Sequence, residues 1–191
     1  SYILCHIILQ RQEDIQKMYG RLDTFIYNAG DCEYVDVKDF QSEMFERLMR
    51  INFLGLVQGV EKLLPLLRKG YAPHIVGMSS SVDGLAMPRA GAYGSTKAAV
   101  SYFLESLRLD LKEEDIDVSL IKPGFVKTPL TDKNDFPMPC LISAEEAGKK
   151  IMKGIKQRQL VISFPKRFTY LLKFIGMLPP KLRYLLTRKM C

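Results

Sequence analysis

His74-Ile-Val-Gly-Met-Ser-Ser-Ser81 is the stretch that decides the fold, because a compact apolar run stops there against three small polar residues. Such a run, closed by turn chemistry, predicts a short buried strand. Working outward, the same pattern recurs at Leu22-Asp-Thr-Phe-Ile-Tyr27, which stops at Asn28-Ala-Gly30, and at Ile116-Asp-Val-Ser-Leu-Ile121, which ends at Pro123-Gly124. Leu160-Val-Ile-Ser163 predicts a fourth strand. Helical patterns lie between them. One runs from Ser42 to about Arg68 and is apolar around most of its circumference, so it is expected to be buried on two sides. A second spans Ala92 to Lys112, and Glu13 to Tyr19 forms a shorter one. Ser143-Ala-Glu-Glu146 opens another with the signature of a capping box. Alternation of this kind predicts an α/β domain: a doubly wound parallel sheet between two helical layers, with chemistry at the carboxyl ends of its strands.

Composition agrees and excludes several function classes. The chain has 191 residues, 47% hydrophobic and 26% charged, which is enough to bury a core without staples. Cys5, Cys32, Cys140 and Cys191 are scattered with no C-x-x-C pair, and His6 and His74 are the only imidazoles. That excludes a zinc site and a disulfide framework, and suits a reducing cytoplasm. The net charge of +7 is unevenly placed: residues 1–146 hold 16 Lys+Arg against 21 Asp+Glu, whereas residues 147–191 hold 12 Lys+Arg and no acid. The body is therefore mildly acidic, and nucleic acid is not the expected partner. The basic segment divides the chain into a body, 1–165, and a basic amphipathic tail, 166–191. In the tail, cations interrupt apolar stripes, which speaks against a membrane span. Two readings of the tail stand: peripheral contact with an anionic membrane, or packing against the body or a partner subunit.

Tyr93-Gly-Ser-Thr-Lys97 places a phenol and an ammonium one turn apart on one helical face. An ammonium there favours the phenolate and fits the phenol for proton transfer to or from a substrate oxygen. With 9 tyrosines and 17 lysines in the chain, about one such pair is expected by chance, so the context decides.

In that context, with Asn28-Ala-Gly30, the serine cluster, the Tyr93–Lys97 pair and Pro123-Gly-Phe-Val-Lys-Thr128 in this order, the chain resembles the short-chain dehydrogenase/reductase family of the classical type, from about Leu22 to Thr169. The resemblance implies a Rossmann-like fold, NAD or NADP as cofactor, and interconversion of an alcohol and a carbonyl by hydride transfer. It makes Tyr93 the acid/base, and Lys97 the residue that lowers the phenol pKa and holds the nicotinamide ribose. Ser80, thirteen residues before the tyrosine, becomes the serine that bonds the substrate oxygen, with Ser81 as its competitor. Asn52 in Met49-Arg-Ile-Asn52 would support a proton-relay water. Asn28, Ala29 and Gly30 would border the adenosine half of the cofactor, Pro123 and Gly124 the nicotinamide, and Thr128 its carboxamide, with Tyr93 and Lys97 also touching the cofactor. Pro129–Pro139 falls where the family has its substrate loop, and its Phe136 and Met138 point to an apolar cleft. The Ser42–Arg68 and Tyr93 helices are those that pair subunits in the family, which implies a homodimer.

Two departures stand out. Nothing matches the Thr-Gly-x-x-x-Gly-x-Gly loop that cradles the pyrophosphate. Roughly the first 50–60 residues of an ordinary member have no counterpart, which leaves the sheet with an open edge for Ser1–Leu9 or an upstream segment to fill. Tyr27 also replaces a common asparagine. The alternative function is a non-catalytic remnant of the family, serving as a dimerisation or partner-binding module.

Overall fold

The computed structural model describes residues 12–188 and 190; Ser1–Leu9 lies outside the described residues. Four parallel strands form the main sheet: β1 (Thr24–Tyr27), β2 (His74–Met78), β3 (Asp117–Pro123) and β6 (Val161–Phe164), in the order β1-β2-β3-β6. The short β4 (Val126–Lys127) and β5 (Ile142–Ser143) pair in parallel beside it. All four strands of the sequence reading are present, β2 with the ends read from the sequence and the others with ends shifted by at most two residues.

Strand periodicity explains the layers. Successive side chains point to opposite faces, so Ile75, Val118 and Leu120 enter one core with Leu56, Val60, Leu63, Val100 and Leu104. Val76, Ile121 and Ile162 enter the other, with Ala147, Ile151 and Ile155. The first face is covered by α3 (Gly55–Leu67) and α4 (Gly91–Asp110), the second by α5 (Ala144–Lys156). This is the three-layer α/β arrangement the sequence predicts. A Cβ on Gly77 would overlap the Leu104 side chain, so glycine there lets α4 lie close against β2. Among the described residues β1 pairs only with β2, and its Ile26 is exposed on the α5 side of the sheet.

The single helix expected over Ser42–Arg68 is observed as three consecutive segments. These are α2 (Ser42–Met49), a π-helical turn (Arg50–Leu54) and α3. Within the widened turn, Tyr27 donates from its hydroxyl to the Ile51 carbonyl at 2.6 Å. Burial pushes that phenol up to about 12. Burial of this long element is not all-round, since Leu54 is exposed. Before it, residues 12–18 form a helix that we label α1.

At the start of α5, Ser143 accepts from the Glu146 backbone N–H at 3.1 Å. The Glu146 carboxylate turns to Lys150 at 3.2 Å, so half of the capping box is built and the other half is replaced by an i,i+4 ion pair. The tail folds into α6 (Lys166–Met177) and α7 (Pro180–Thr187). The inner face of α6, Phe168, Leu172 and Ile175, packs with Leu85, Met87 and Phe125.

His74 at the start of β2 is almost fully buried, with Nε2 2.7 Å from Ser119 Oγ. Burial, reinforced by Arg158, lowers its pKa from 6.5 to about 4. The folded imidazole is then neutral where the unfolded one is protonated. Stability is therefore lost as pH falls through the window from 6.5 towards 4. We expect the folded state to lose about 2 kcal/mol through this group between about pH 7 and pH 5. Urea unfolding at the two pH values checks it: His74→Gln should show a smaller loss by that amount, and an equal loss in both proteins contradicts it.

Candidate active site

The strand registers, Tyr27 beside Gly77 and Met78 beside Ile121, bring the ends of β1, β2 and β3 to one edge of the sheet. The segments Asn28–Gly30, Ser79–Ser81 and Pro123–Gly124 emerge there together. Backbone bonds extend the ladder past the strands: Ser79 N donates to the Ile121 carbonyl and Ser81 N to the Pro123 carbonyl, both at 2.9 Å. The first turns of α4 face this edge with Tyr93 and Lys97.

Two hydrogen-bond clips fix α4. Asn52, buried in the π-helical turn, accepts at Oδ1 from Asp31 N at 2.7 Å. Its Nδ2 donates to the Asp31 carbonyl and to Thr96 Oγ1, both at 2.9 Å. Thr96 in turn donates to the Tyr93 carbonyl at 2.7 Å. On the other side, Ser79 Oγ donates to the Lys97 carbonyl at 2.9 Å and lies 2.7 Å from Ser101 Oγ. Ser101 donates to Asp83, whose carboxylate is buried and paired with Lys122 at 2.7 Å. Neither Thr96 nor this serine–aspartate–lysine chain is apparent in the sequence. Their partners are 18 to 44 residues apart, and nothing in the local pattern marks them.

Lys97 is buried, and its Nζ donates to the Met78 carbonyl at 2.9 Å. Nζ lies 5.6 Å from the centre of the Tyr93 ring. Burial lowers the Lys97 pKa to about 8. A Cβ built on Gly30 would lie 3.3 Å from Lys97 Nζ and 3.4 Å from Asn52 Oδ1, so the backbone after β1 closes directly over both groups. Ala29 sits beside it, half-buried, while Asn28 is exposed.

The Tyr93 phenol is pushed up chiefly by burial, with a further rise from the neighbouring Cys32. A hydrogen bond with the Ser80 side chain pulls it back down. This differs from the sequence expectation that Lys97 governs the phenol. The low-polarity surroundings outweigh the ammonium, which is itself desolvated and turned to a backbone carbonyl. The phenol is consequently protonated at neutral pH.

In front of Tyr93 lies a cavity of about 150 Å³, walled by Ser80, Ser81, Gly124, Phe125, Phe136 and Phe168 among others. Both serines reach it; Ser80 is the more buried and the one bonded to the phenol. Gly124 has no room for a side chain, since a Cβ would meet Phe168 at 3.0 Å and Pro165 at 3.1 Å. Phe136 lines the cavity as expected for the Pro129–Pro139 segment. Met138 instead accepts from Asn134 Nδ2 at 3.3 Å and is not part of the wall.

Three loops are clasped over this space. Tyr34 donates to Asn134 Oδ1 at 2.8 Å and packs edge-on to Phe136, while Arg89 forks onto Asp135 at 2.9 and 3.0 Å. Thr128 turns to Thr131, with its N–H donating to Thr131 Oγ1 at 3.0 Å. No local pattern in the chain marks Cys32, Tyr34 or Arg89 for this site.

Comparison with known proteins bears on the same residues. The family profile described as short chain dehydrogenase matches residues 8–137. An uncharacterized oxidoreductase of Myxococcus xanthus is 32% identical over 171 residues, covering 90% of this chain and 68% of that protein. Dehydrogenase/reductase SDR family member 7B of Bos taurus is 30% identical over 118 residues. That match covers 62% of this chain and 36% of the bovine protein, so the chain spans little more than a third of that relative. Among solved structures, a short chain dehydrogenase/reductase from Burkholderia phymatum in complex with NAD superposes with a TM-score of 0.79. It is 19% identical and covers 98% of this chain and 75% of the other, a likeness of fold.

Proposed function

The chain belongs to the short-chain dehydrogenase/reductase family, and from that premise we propose that it interconverts an alcohol and a carbonyl with NAD or NADP, using Tyr93 as the acid/base. The observation that carries the reading is the meeting of Ser80 and Tyr93 on the wall of one cavity, with the Ser80 side chain bonded to the phenol and Lys97 Nζ 5.6 Å from the centre of the Tyr93 ring behind it.

The residues present fit the nicotinamide-ribose half of such a cofactor. Lys97 offers three N–H donors and among the described residues one acceptor takes one of them, the Met78 carbonyl, leaving two for vicinal hydroxyls. Gly30 and Gly124 supply backbone without side-chain bulk at the places where a ring and a sugar would lie. Asn28, Ala29 and Gly30 would border the adenosine side, Pro123 and Gly124 the nicotinamide ring, and Thr128, once released from Thr131, its carboxamide. When bound, the cofactor supplies or accepts the hydride.

The protein's own residues do the rest. Ser80 bonds the substrate oxygen and holds it against the Tyr93 hydroxyl. Because burial keeps that phenol protonated, it is set to give its proton to a carbonyl oxygen. The arrangement therefore favours reduction at neutral pH. Lys97, raised towards full charge when the ribose hydroxyls solvate it, steadies the phenolate that remains. Asn52, bonded to Asp31 and Thr96, keeps the Tyr93 turn in place and can support a water through which a solvent proton returns, by way of Lys97, to the Tyr93 phenolate. The aromatic walls select an apolar substrate. The exposed Leu54, Tyr102 and Leu109 on the outer side of the long helices and α4 support a homodimer built on that face.

A titration tests the cofactor assignment. The fluorescence of added NADH or NADPH is excited in the cofactor's own near-ultraviolet band, away from the absorption of protein aromatic groups. The protein expressed from its complete gene should enhance that fluorescence in a saturable way with at least one of the two. No saturable change with either contradicts the reading and favours the non-catalytic remnant.

A further inference from the structure

We propose that α6 and α7 form a docking surface for an anionic phospholipid membrane and so hold the roof of the Tyr93 cavity at the lipid surface. The inference does not depend on turnover. The helix α6 has two apolar faces. Phe168, Leu172 and Ile175 recur at spacings of four and three and turn inward, where Phe168 also lines the cavity. Tyr170, Leu171, Phe174 and Met177 recur at similar spacings on the outer side, and each is between 53% and 70% exposed. On α7 the residues Leu182, Tyr184, Leu185 and Leu186 are between 48% and 64% exposed. A helix covered on one side only ordinarily shows water a polar face. Here eight large apolar side chains on two adjoining helices face outward, which marks an interaction surface.

Charge identifies the occupant. Lys166, Arg167, Lys173, Lys181 and Arg188 are exposed around this apolar surface, and no acidic residue occurs from 147 to 191. Cations flanking an apolar stripe match the headgroup and acyl layers of an anionic bilayer surface. A second copy of the chain is a poor occupant, because a two-fold interface would set the same uncompensated cations against each other. The surface lies on the membrane rather than in it, since among the described residues no helix is long and apolar enough to cross one.

Sedimentation with vesicles tests the proposal. The protein should pellet with phosphatidylcholine vesicles that carry phosphatidylserine. It should do so at least about tenfold less well with phosphatidylcholine alone, and should release from the anionic vesicles at high salt. The exposed double substitution Leu171→Glu with Phe174→Glu should reduce binding to anionic vesicles about tenfold or more. Lys166→Glu with Lys173→Glu tests the charge without touching the apolar stripe and should do the same. Equal partition onto both vesicle types, or undiminished binding by both variants, overturns the proposal. So does a wild-type protein whose molar mass in solution, measured by light scattering, is halved by the Leu171→Glu/Phe174→Glu change, because a second copy then covers the face. None of these readouts uses the cofactor, so an inactive protein leaves the test intact.

Discussion

Tyr93→Phe is expected to lower turnover about a thousandfold or more, with cofactor still bound and melting within a few degrees of the wild type. The substitution removes one oxygen and leaves the ring in place. What would be lost is the group proposed to pass a proton to the substrate oxygen, and a positioned acid/base typically contributes about 10²–10⁴-fold. The proton cannot be supplied instead by Ser80, whose hydroxyl bonds the same oxygen but has no ammonium behind it. The ring itself helps close the cavity and lies near Lys97 Nζ, and phenylalanine preserves both contacts. Turnover measured by consumption of NADH or NADPH with a panel of apolar ketones, beside the fluorescence titration, separates the two effects. Wild-type turnover in the variant would remove Tyr93 from the mechanism.

Lys97→Met carries the second large effect, and it falls on binding and turnover together. Methionine keeps the length and apolar stem of the side chain but removes the ammonium under Gly30. Two charge-assisted hydrogen bonds to the ribose would go with it, and bonds to charged groups are worth about 1.5–3 kcal/mol each at most. The dissociation constant of NADH or NADPH is expected to rise about a hundredfold or more. Turnover falls further, since the phenolate loses its countercharge. Stability should change little, because removal of a desolvated ammonium offsets the loss of its hydrogen bond to the Met78 carbonyl. Cofactor affinity that is unchanged in the Met variant contradicts the role given to Lys97.

What the sequence made legible, and what it hid, follows from the range of the interactions. The main strands could be read because each is a dense apolar run ended by Asn-Ala-Gly, serine or Pro-Gly, all local signals. The same is true of Tyr93 and Lys97, which share one helix. The short pair β4 and β5 was not visible, since two residues carry no periodicity and their pairing joins Val126 to Ile142. The π-helical turn at Arg50–Leu54 has no residue signature of its own. Its partner is Tyr27, twenty-four residues away, which donates to the Ile51 carbonyl. The departure at Tyr27 therefore has a structural use that the sequence alone does not reveal.

Electrostatics was the least legible layer. Spacing suggests that Lys97 acidifies Tyr93, but burial acts on both groups and drives the phenol up and the ammonium down. Depth below the surface is a property of the packed loops, and the clasp made by Tyr34, Arg89, Asn134 and Asp135 joins residues 46 to 100 apart. By contrast, the basic tail could be counted directly from the chain. Which of its apolar residues would turn inward on Phe168 and which outward required the helices themselves.

The proposed reaction passes a hydride between a nicotinamide cofactor and a substrate carbon held beside Tyr93. It is tested most directly by isotope transfer. The protein expressed from its complete gene is incubated with NADH or NADPH deuterated at the reactive position and with apolar ketones, and the alcohol formed is weighed by mass spectrometry. One deuterium is expected on the carbinol carbon, transferred by the wild type and not by Tyr93→Phe. An alcohol without deuterium, equal transfer by the variant, or no cofactor consumed with any ketone would contradict it.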